Sequence, residues 1–154
     1  MSLNKNFLSL DKFIHQALYS PKTGFYMKKN PFGDKGDYIT SPLISVLFSE
    51  MLSVWTVAFW QNLKCPKNIN LIELGAGNGQ MMYDMINSFK SFPEFNKSCK
   101  FYIFETSPYL KKIQKEKLKE FNVIWIKNLN EIKKNYNIFI ANEFFDALPI
   151  KQFF

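Results

Sequence analysis

The order of apolar and polar residues divides the chain into an N-terminal helical region and a region in which strands and helices alternate. Over residues 10–18 apolar residues recur at helical spacing behind Ser9, a residue that favours the start of a helix. A second, longer helix is predicted to begin at Ser41-Pro42, which has the form of an N-cap followed by the first helical residue. Its apolar positions are expected to share one side and its hydroxyl side chains the other: Ile44, Leu47, Phe48, Met51, Trp55, Ala58 and Phe59 against Ser45, Ser49, Ser53 and Thr56.

Further apolar residues on other sides of this helix predict that it is covered over most of its surface. Its apolar stretch is nearly long enough to cross a membrane, but Glu50 at its centre and the hydroxyl side chains disfavour a membrane span. Between the two helices, residues 21–42 combine three prolines and three glycines with aromatic residues, which predicts an ordered, packed loop. Residues 1–66 are therefore predicted to form an N-terminal helical region.

From residue 67 onward the hydrophobic period changes. Four short runs rich in Ile, Val and Phe predict buried strands, at 70–74, 100–105, 122–127 and 137–141. Helical patterns separate them, at 80–89, at 108–120 and more weakly at 129–134, whereas 91–98 is predicted to be an inserted loop. This alternation is typical of a parallel α/β sheet. The second predicted unit is accordingly an α/β domain over residues 67–154.

Composition and charge exclude several function classes. The chain has 154 residues, 47% of them apolar, which is compatible with a packed core and not with a wholly disordered chain. Its net charge of +7 comes from 20 lysines without any arginine, so codon bias explains it better than a nucleic-acid surface does. One histidine and two widely spaced cysteines, Cys65 and Cys99, predict no metal site and favour reduced thiols, with a disulfide as the alternative. Because the N-terminus resembles neither a signal nor a transit peptide, a cytoplasmic, bacterial protein is expected.

A glycine-rich segment directly after the first predicted strand is the strongest chemical signal. It reads Glu-Leu-Gly-Ala-Gly-Asn-Gly from Glu73 to Gly79, and a helical pattern follows it. Glycines at such a turn let the backbone approach a ligand, and the helix N-terminus favours an anionic group. The dinucleotide pattern GxGxxG would require glycine where Gln80 stands, so S-adenosylmethionine (SAM) is favoured. A nucleotide and a purely structural turn stay open as alternatives.

Acidic residues follow two of the other predicted strands. Glu105 ends the second strand, where a carboxylate can accept both hydroxyls of a ribose, although it could also be an exposed helix-capping acid. The fourth strand runs into Asn142, Glu143 and Asp146, among two phenylalanines. Because ligands bind at the carboxyl ends of parallel strands, these side chains are candidates for holding a basic nucleophile. An ordinary turn at the end of a strand is the alternative.

Four segments in this order closely resemble the MidA-like family of class I SAM-dependent methyltransferases, which includes the protein-arginine methyltransferase of mitochondrial complex I assembly. They are FGDKGDYITSP, LIELGAGNGQMMYDM, FETSPYLKKIQKEKL and ANEFFDALPIKQF. The resemblance spans nearly the whole chain, and the first and last segments are its most specific parts. It implies a Rossmann-like methyltransferase sheet preceded by an N-terminal helical segment, with a long ordered loop.

The resemblance implies a role for each matching residue. Gly75, Gly77 and Gly79 would wrap the methionine part of SAM, Glu73 would support that loop, and Glu105 would take the ribose hydroxyls. The cofactor would be covered by a loop and faced by polar residues of the last segment: Gly36, Asp37 and Thr40 in the loop, and Asn142, Glu143 and Asp146 as candidate catalytic residues beside the transferred methyl. A guanidinium acceptor fits Glu143, because a carboxylate can pair with it in bidentate fashion. The implied substrate is an arginine of a protein such as a respiratory complex I subunit.

The length of the chain departs from the family. Family members are more than twice as long, and their seven-stranded sheet, in the order 3-2-1-4-5-7-6, would here be incomplete, with about four parallel strands. We therefore expect the N-terminal part of a methyltransferase, with weak or no turnover alone. The alternatives are a non-catalytic interaction module that pairs with a separately encoded C-terminal half through the fourth strand, or the product of a decayed gene. Neither nucleic acid nor a membrane span is expected.

Overall fold

A computed structural model describes residues 8–28, 31, 37 and 44–153. Among the described residues, the helices before the sheet are α1 (Leu10–Tyr19), α2 (Phe25–Lys28) and α3 (Val46–Asn62). The remaining elements are β1 (Ile69–Leu74), α4 (Gln80–Phe89), α5 (Pro93–Ser98), β2 (Cys99–Phe104), α6 (Pro108–Lys117), β3 (Val123–Ile126), a 3-10 turn at Leu129–Glu131, β4 (Tyr136–Ile140) and a second 3-10 turn at Phe145–Ala147. The α/β alternation predicted from the sequence is confirmed.

The four strands form one parallel sheet in the order β3-β2-β1-β4. The central strand β1 is buried along nearly its whole length, which explains why it reads as a continuous apolar run. Its neighbouring residues point to opposite faces. Leu71 contributes to the main core with α3 and α4, and Ile72 to a smaller cluster with Tyr102 and Ile126.

The apolar side of α3 is oriented differently from the prediction. Ser49, Ser53 and Thr56 are buried, whereas Met51 is 62% and Trp55 54% exposed, as are several other apolar residues of that side. Two hydroxyls can be buried because they bond within the helix, Ser53 to the Ser49 carbonyl and Thr56 to the Leu52 carbonyl, each at 2.7 Å. Small side chains also let α3 pack closely against α4. The prediction that this helix is covered over most of its surface is therefore wrong, because the apolar side is the exposed one and the hydroxyl side is buried.

Two helix boundaries also differ from the prediction. α3 begins at Val46 with Ser45 as its N-cap, whose hydroxyl accepts the Leu47 amide at 3.2 Å; the predicted cap at Ser41-Pro42 lies outside the described residues. The predicted inserted loop contains α5, which starts at Pro93 and buries Phe95 against Phe89. Proline is tolerated at the first helical position, so a proline inside the segment did not mark a loop.

The remaining predictions concern location and domains. No helix within the described ranges is both long and apolar enough to cross a membrane. Both cysteines are free thiols, with Cys65 exposed and Cys99 buried. The division into residues 1–66 and 67–154 stays a prediction. Val57 and Trp60 of α3 share the main core with β1 and α4, so side chains from both sides of that division pack together.

Candidate functional site

A partly open cleft lies at the carboxyl edge of the sheet. The chain segments that follow β1, β2 and β4 meet there, since the carboxyl ends of parallel strands share one edge. Residues from all three segments and from the N-terminal helices line it: Tyr19, Tyr26, Gly75, Gly77, Phe104, Glu105, Thr106, Leu110, Glu143, Phe144 and Ala147.

The glycine loop needs glycine for conformation and for space. Gly75, Gly77 and Gly79 all have positive φ, at 69°, 53° and 83°, a region that other residues avoid. A Cβ on Gly75 would stand 2.5 Å from the ring of Phe144. Gly75 and Gly77 line the cleft, whereas Gly79 lies against Gln114 of α6 and starts α4. The structure thus places two of the three predicted glycines at the cleft and the third in helix packing.

Glu105 is a buried carboxylate held by bonds to both of its oxygens. Its Oε1 accepts the Ser107 amide at 2.8 Å and its Oε2 accepts the Gln114 side-chain amide at 3.0 Å. Burial raises the pKa of Glu105, while these bonds and the charge of Lys111 oppose that rise. A carboxylate has about four lone-pair sites, so each oxygen keeps acceptor capacity for a ligand hydroxyl. Of the two interpretations left open by the sequence, the exposed helix-capping acid is wrong, because Glu105 is 7% exposed.

Glu73 lies below the loop and does not line the cleft. It is 4% exposed, and its Oε2 has no hydrogen-bond partner within the described part of the chain. Burial, and then the nearby charge of Glu105, raise the pKa of Glu73 to about 8, against a bond from the Met82 amide. Glu73 therefore holds a proton at neutral pH, which makes it tolerable in the interior.

The segment after β4 brings one of its three predicted residues into the cleft. Glu143 lines it and has a positive φ of 47°, an unfavourable conformation for a side chain with a Cβ. Asn142 is half-buried and Asp146 exposed, and neither is among the residues that line the cleft. Phe144 extends over Gly75 and meets Phe104 edge to face, with 6.3 Å between ring centroids.

Two tyrosines of the N-terminal helices complete the cleft, and the sequence did not assign them to a site. Tyr19 donates its hydroxyl to the Ala147 carbonyl at 2.9 Å, and the Tyr26 carbonyl accepts the Ser107 hydroxyl at 2.7 Å. Burial, together with the charges of Tyr26, Glu105 and Asp146, raises the pKa of Tyr19 to about 12. The sequence signal for these tyrosines was the group of aromatic residues around the Pro21–Gly24 turn. Their partners could not be identified from it, because Tyr19 bonds to a residue 128 positions away.

Of the three loop residues predicted to cover the cofactor, the structure describes one. Gly36 and Thr40 lie outside the described residues. Asp37 is exposed and is not among the described residues that line the cleft. No group of three or more potential metal ligands occurs among the described histidine, cysteine, aspartate and glutamate residues.

The sheet order, the glycine loop after β1 and the carboxylate after β2 define an α/β protein with a cleft at a topological switch point. A family model described as "Putative S-adenosyl-L-methionine-dependent methyltransferase" matches residues 51–154, more than half of the chain. The chain belongs to this family of SAM-dependent methyltransferases.

Relatives and solved structures agree with the family match. The chain is 32% identical over 169 residues to "Protein arginine methyltransferase NDUFAF7, mitochondrial" of Xenopus laevis, a match that covers 94% of the chain and 39% of that protein. The human protein of the same name is 30% identical, with 95% and 38% covered. A Burkholderia thailandensis crystal structure with bound S-adenosyl-homocysteine superposes with a TM-score of 0.74 at 26% identity, covering 92% of this chain and 38% of that one. The chain thus spans well under half the length of these proteins.

Proposed function

We propose that this chain forms the SAM-binding part of a methyltransferase whose acceptor is an arginine side chain of a protein. One observation carries the proposal: Gly75, Gly77, Glu105 and Glu143 line the same cleft, although they follow three different strands. The family membership and the ligand of the Burkholderia neighbour support the same cofactor.

The residues of the cleft fit the cofactor. Glu105 is preorganised to accept the ribose hydroxyls, because its orientation is already fixed by Ser107 and Gln114. Gly75 and Gly77 both line the cleft, where the loop is proposed to contact the methionine part, and Phe144 covers the Cβ side of Gly75. When bound, SAM supplies a methyl group on a sulfonium sulfur, from which an in-line nucleophile can take it.

The acceptor is assigned from charge and aromatic character. Glu143 offers a carboxylate at the rim of the cleft, and a carboxylate can bind the two nitrogens of a guanidinium and orient one of them. Tyr19, Tyr26 and Phe144 provide aromatic faces that favour a cation. The relatives named as protein arginine methyltransferases support this acceptor.

Several finer assignments stay predictions. Asn142 and Asp146 flank Glu143 in the same segment and are proposed to help hold the acceptor, although they lie outside the lining of the cleft. A complex I subunit as substrate, a separately encoded C-terminal half and a cytoplasmic location rest on the sequence analysis. The relatives are named as mitochondrial, and the structural neighbour is bacterial.

Calorimetric titration of the 154-residue chain with SAM and with S-adenosyl-homocysteine tests the cofactor assignment. Glu105→Gln keeps the size of the side chain but removes its charge and one acceptor oxygen, so we expect at least about tenfold weaker binding. Glu120→Gln is the matched control, because Glu120 is an exposed carboxylate outside the cleft. Absence of binding by the wild-type chain, or equal binding by both variants, would contradict the assignment.

Peptide binding to the chain saturated with S-adenosyl-homocysteine tests the acceptor. An arginine peptide is expected to bind more tightly than the same peptide with lysine, and Glu143→Gln is expected to weaken the arginine peptide without changing cofactor affinity. Equal affinity for the two peptides would refute a guanidinium acceptor and leave the cofactor assignment intact.

A further inference from the structure

Gln114 of α6 connects the glycine loop to Glu105 from outside the lining of the cleft. Its side chain is fully buried, at 0% exposure. Its amide nitrogen donates to the Gly77 carbonyl at 2.9 Å and to Glu105 Oε2 at 3.0 Å, and its amide oxygen accepts the Trp125 indole N–H at 3.0 Å. One side chain thus connects the glycine loop, the proposed ribose carboxylate and β3.

The three bonds engage both N–H donors and the oxygen of the amide and fix its orientation. A glutamine side chain has two N–H donors and one carbonyl oxygen, and here both donors and the oxygen are engaged. The Trp125 indole can only donate, so it must face the amide oxygen of Gln114. The opposite orientation would set N–H against N–H and oxygen against two acceptors. Gln114 therefore directs its N–H donors to Gly77 and Glu105, and the flipped orientation of the amide is excluded.

The third glycine of the motif lies against α6 where this arrangement forms. A Cβ on Gly79 would lie 3.4 Å from Cγ of Gln114 and 3.5 Å from its Cα. These contacts show that α6 approaches the backbone of the loop directly at Gly79. The short distance brings the Gln114 amide within reach of the Gly77 carbonyl.

We infer that Gln114 is a positioning residue of the cofactor site, which holds the Glu105 carboxylate and the Gly77 loop at a fixed separation. This inference rests on the proposed function, since it names the residue through which the same site is preorganised. Gln114 does not line the cleft, so it acts through Glu105 and Gly77. With the Ser107 amide on the other oxygen, the carboxylate can turn in neither direction.

Gln114→Met tests the inference, because it keeps the length of the side chain and removes all three bonds. We expect SAM affinity to fall about tenfold or more, as for the loss of hydrogen bonds to a charged group. Asn87→Leu is the matched control: Asn87 is a half-buried amide of α4 that bonds to the Tyr83 carbonyl and to Lys90, outside the cleft. Wild-type affinity in Gln114→Met would overturn the inference.

The pKa of Glu105 gives a readout that does not require the cofactor. The bond from Gln114 lowers this pKa against the effect of burial, and Glu73, Lys111 and Tyr19 are the other titratable groups that interact with it. In Gln114→Met, a carboxyl-carbon NMR titration should therefore show Glu105 titrating at higher pH than in the wild type. As the pH is lowered, SAM binding by the variant should therefore begin to weaken at a higher pH than SAM binding by the wild type. An unchanged titration would refute the positioning role even if the wild-type chain bound no SAM.

Two further variants keep the test decisive if Gln114→Met does not fold. Gln114→Glu keeps the shape but places a second carboxyl beside Glu105, so it should weaken SAM binding more than Gln114→Met. Trp125→Phe removes only the indole N–H that orients the amide, and a smaller loss of affinity is expected. Wild-type affinity in both variants would refute the inference. Failure of the wild-type chain to bind SAM would instead refute the proposed function.

Discussion

Gly75 is the position at which one added methyl group is expected to disturb both the fold and the cleft. Its φ of 69° is unfavourable for alanine, and the new Cβ would stand 2.5 Å from Cδ2 of Phe144 and 3.2 Å from Cε2. Carbon atoms do not approach so closely, so Phe144 must move. Because Phe144 also lines the cleft, its movement changes the shape of the proposed cofactor site.

The expected loss of stability has two parts. Left-handed backbone at a residue with a Cβ costs about 1–2 kcal/mol, and overpacking by one carbon costs about 1–3 kcal/mol more. Gly75→Ala should therefore lower the free energy of unfolding by about 2–5 kcal/mol. Gly79→Ala separates the parts, since Gly79 also has a positive φ but its Cβ would meet only ordinary contacts, at 3.4–3.5 Å. We expect about 1–2 kcal/mol there.

Urea unfolding of the 154-residue chain, followed by far-UV circular dichroism, measures these differences. A double-mutant cycle identifies the clash: in a Phe144→Ala background, Gly75→Ala should cost only the conformational part, about 1–2 kcal/mol. If Gly75→Ala and Gly79→Ala were equally destabilising, or if Phe144→Ala gave no relief, the contact with Phe144 would not be the cause.

Three further predictions test separate parts of the structure. Tyr19→Phe removes the bond to the Ala147 carbonyl, so docking of α1 should weaken by about 1 kcal/mol, seen as faster amide exchange in α1 with β1 unchanged; equal exchange would contradict this. The pKa of Glu73 lies above the ordinary 4.5, near 8, so its stabilising contribution is present below pH 4.5 and lost as the pH rises towards 8. Urea midpoints of Glu73→Gln should depend less on pH over that range and exceed those of the wild type above pH 8. Trp55→Gln should change the free energy of unfolding by less than about 0.5 kcal/mol, and Val57→Gln should lower it by more than about 2 kcal/mol; the reverse order in urea unfolding would refute the observed orientation of α3.

Much of the sheet and part of the lining of the cleft were predictable from the sequence. The predicted strands end within a residue or two of the observed ones, and the glycine motif and Glu105 were assigned to one edge of the sheet. Short apolar runs determine buried strands locally, and parallel strands with helical crossovers place their carboxyl ends together. That rule alone predicted that four residues lie close together: Gly75, Gly77, Glu105 and Glu143.

The orientation of α3 could not be read from its composition. Serine and threonine predict a solvent-facing side, but their hydroxyls bond to the preceding turn, and their small size suits close contact with α4. The apolar pattern of a helix shows that it has distinct sides. Which side is buried depends on the shape and size of the neighbouring helix.

By itself the sequence determined the alternation of strands and helices, the glycine loop after β1 and the acidic residue after β2, because each depends on neighbours within a few positions. Only the tertiary structure decided that Tyr19 closes the cleft, that Glu73 keeps a proton and that Gln114 holds Glu105. Those properties arise from contacts between distant segments and from the removal of water around them. Local pattern does not encode the loss of water around a carboxylate, which depends on how the elements pack.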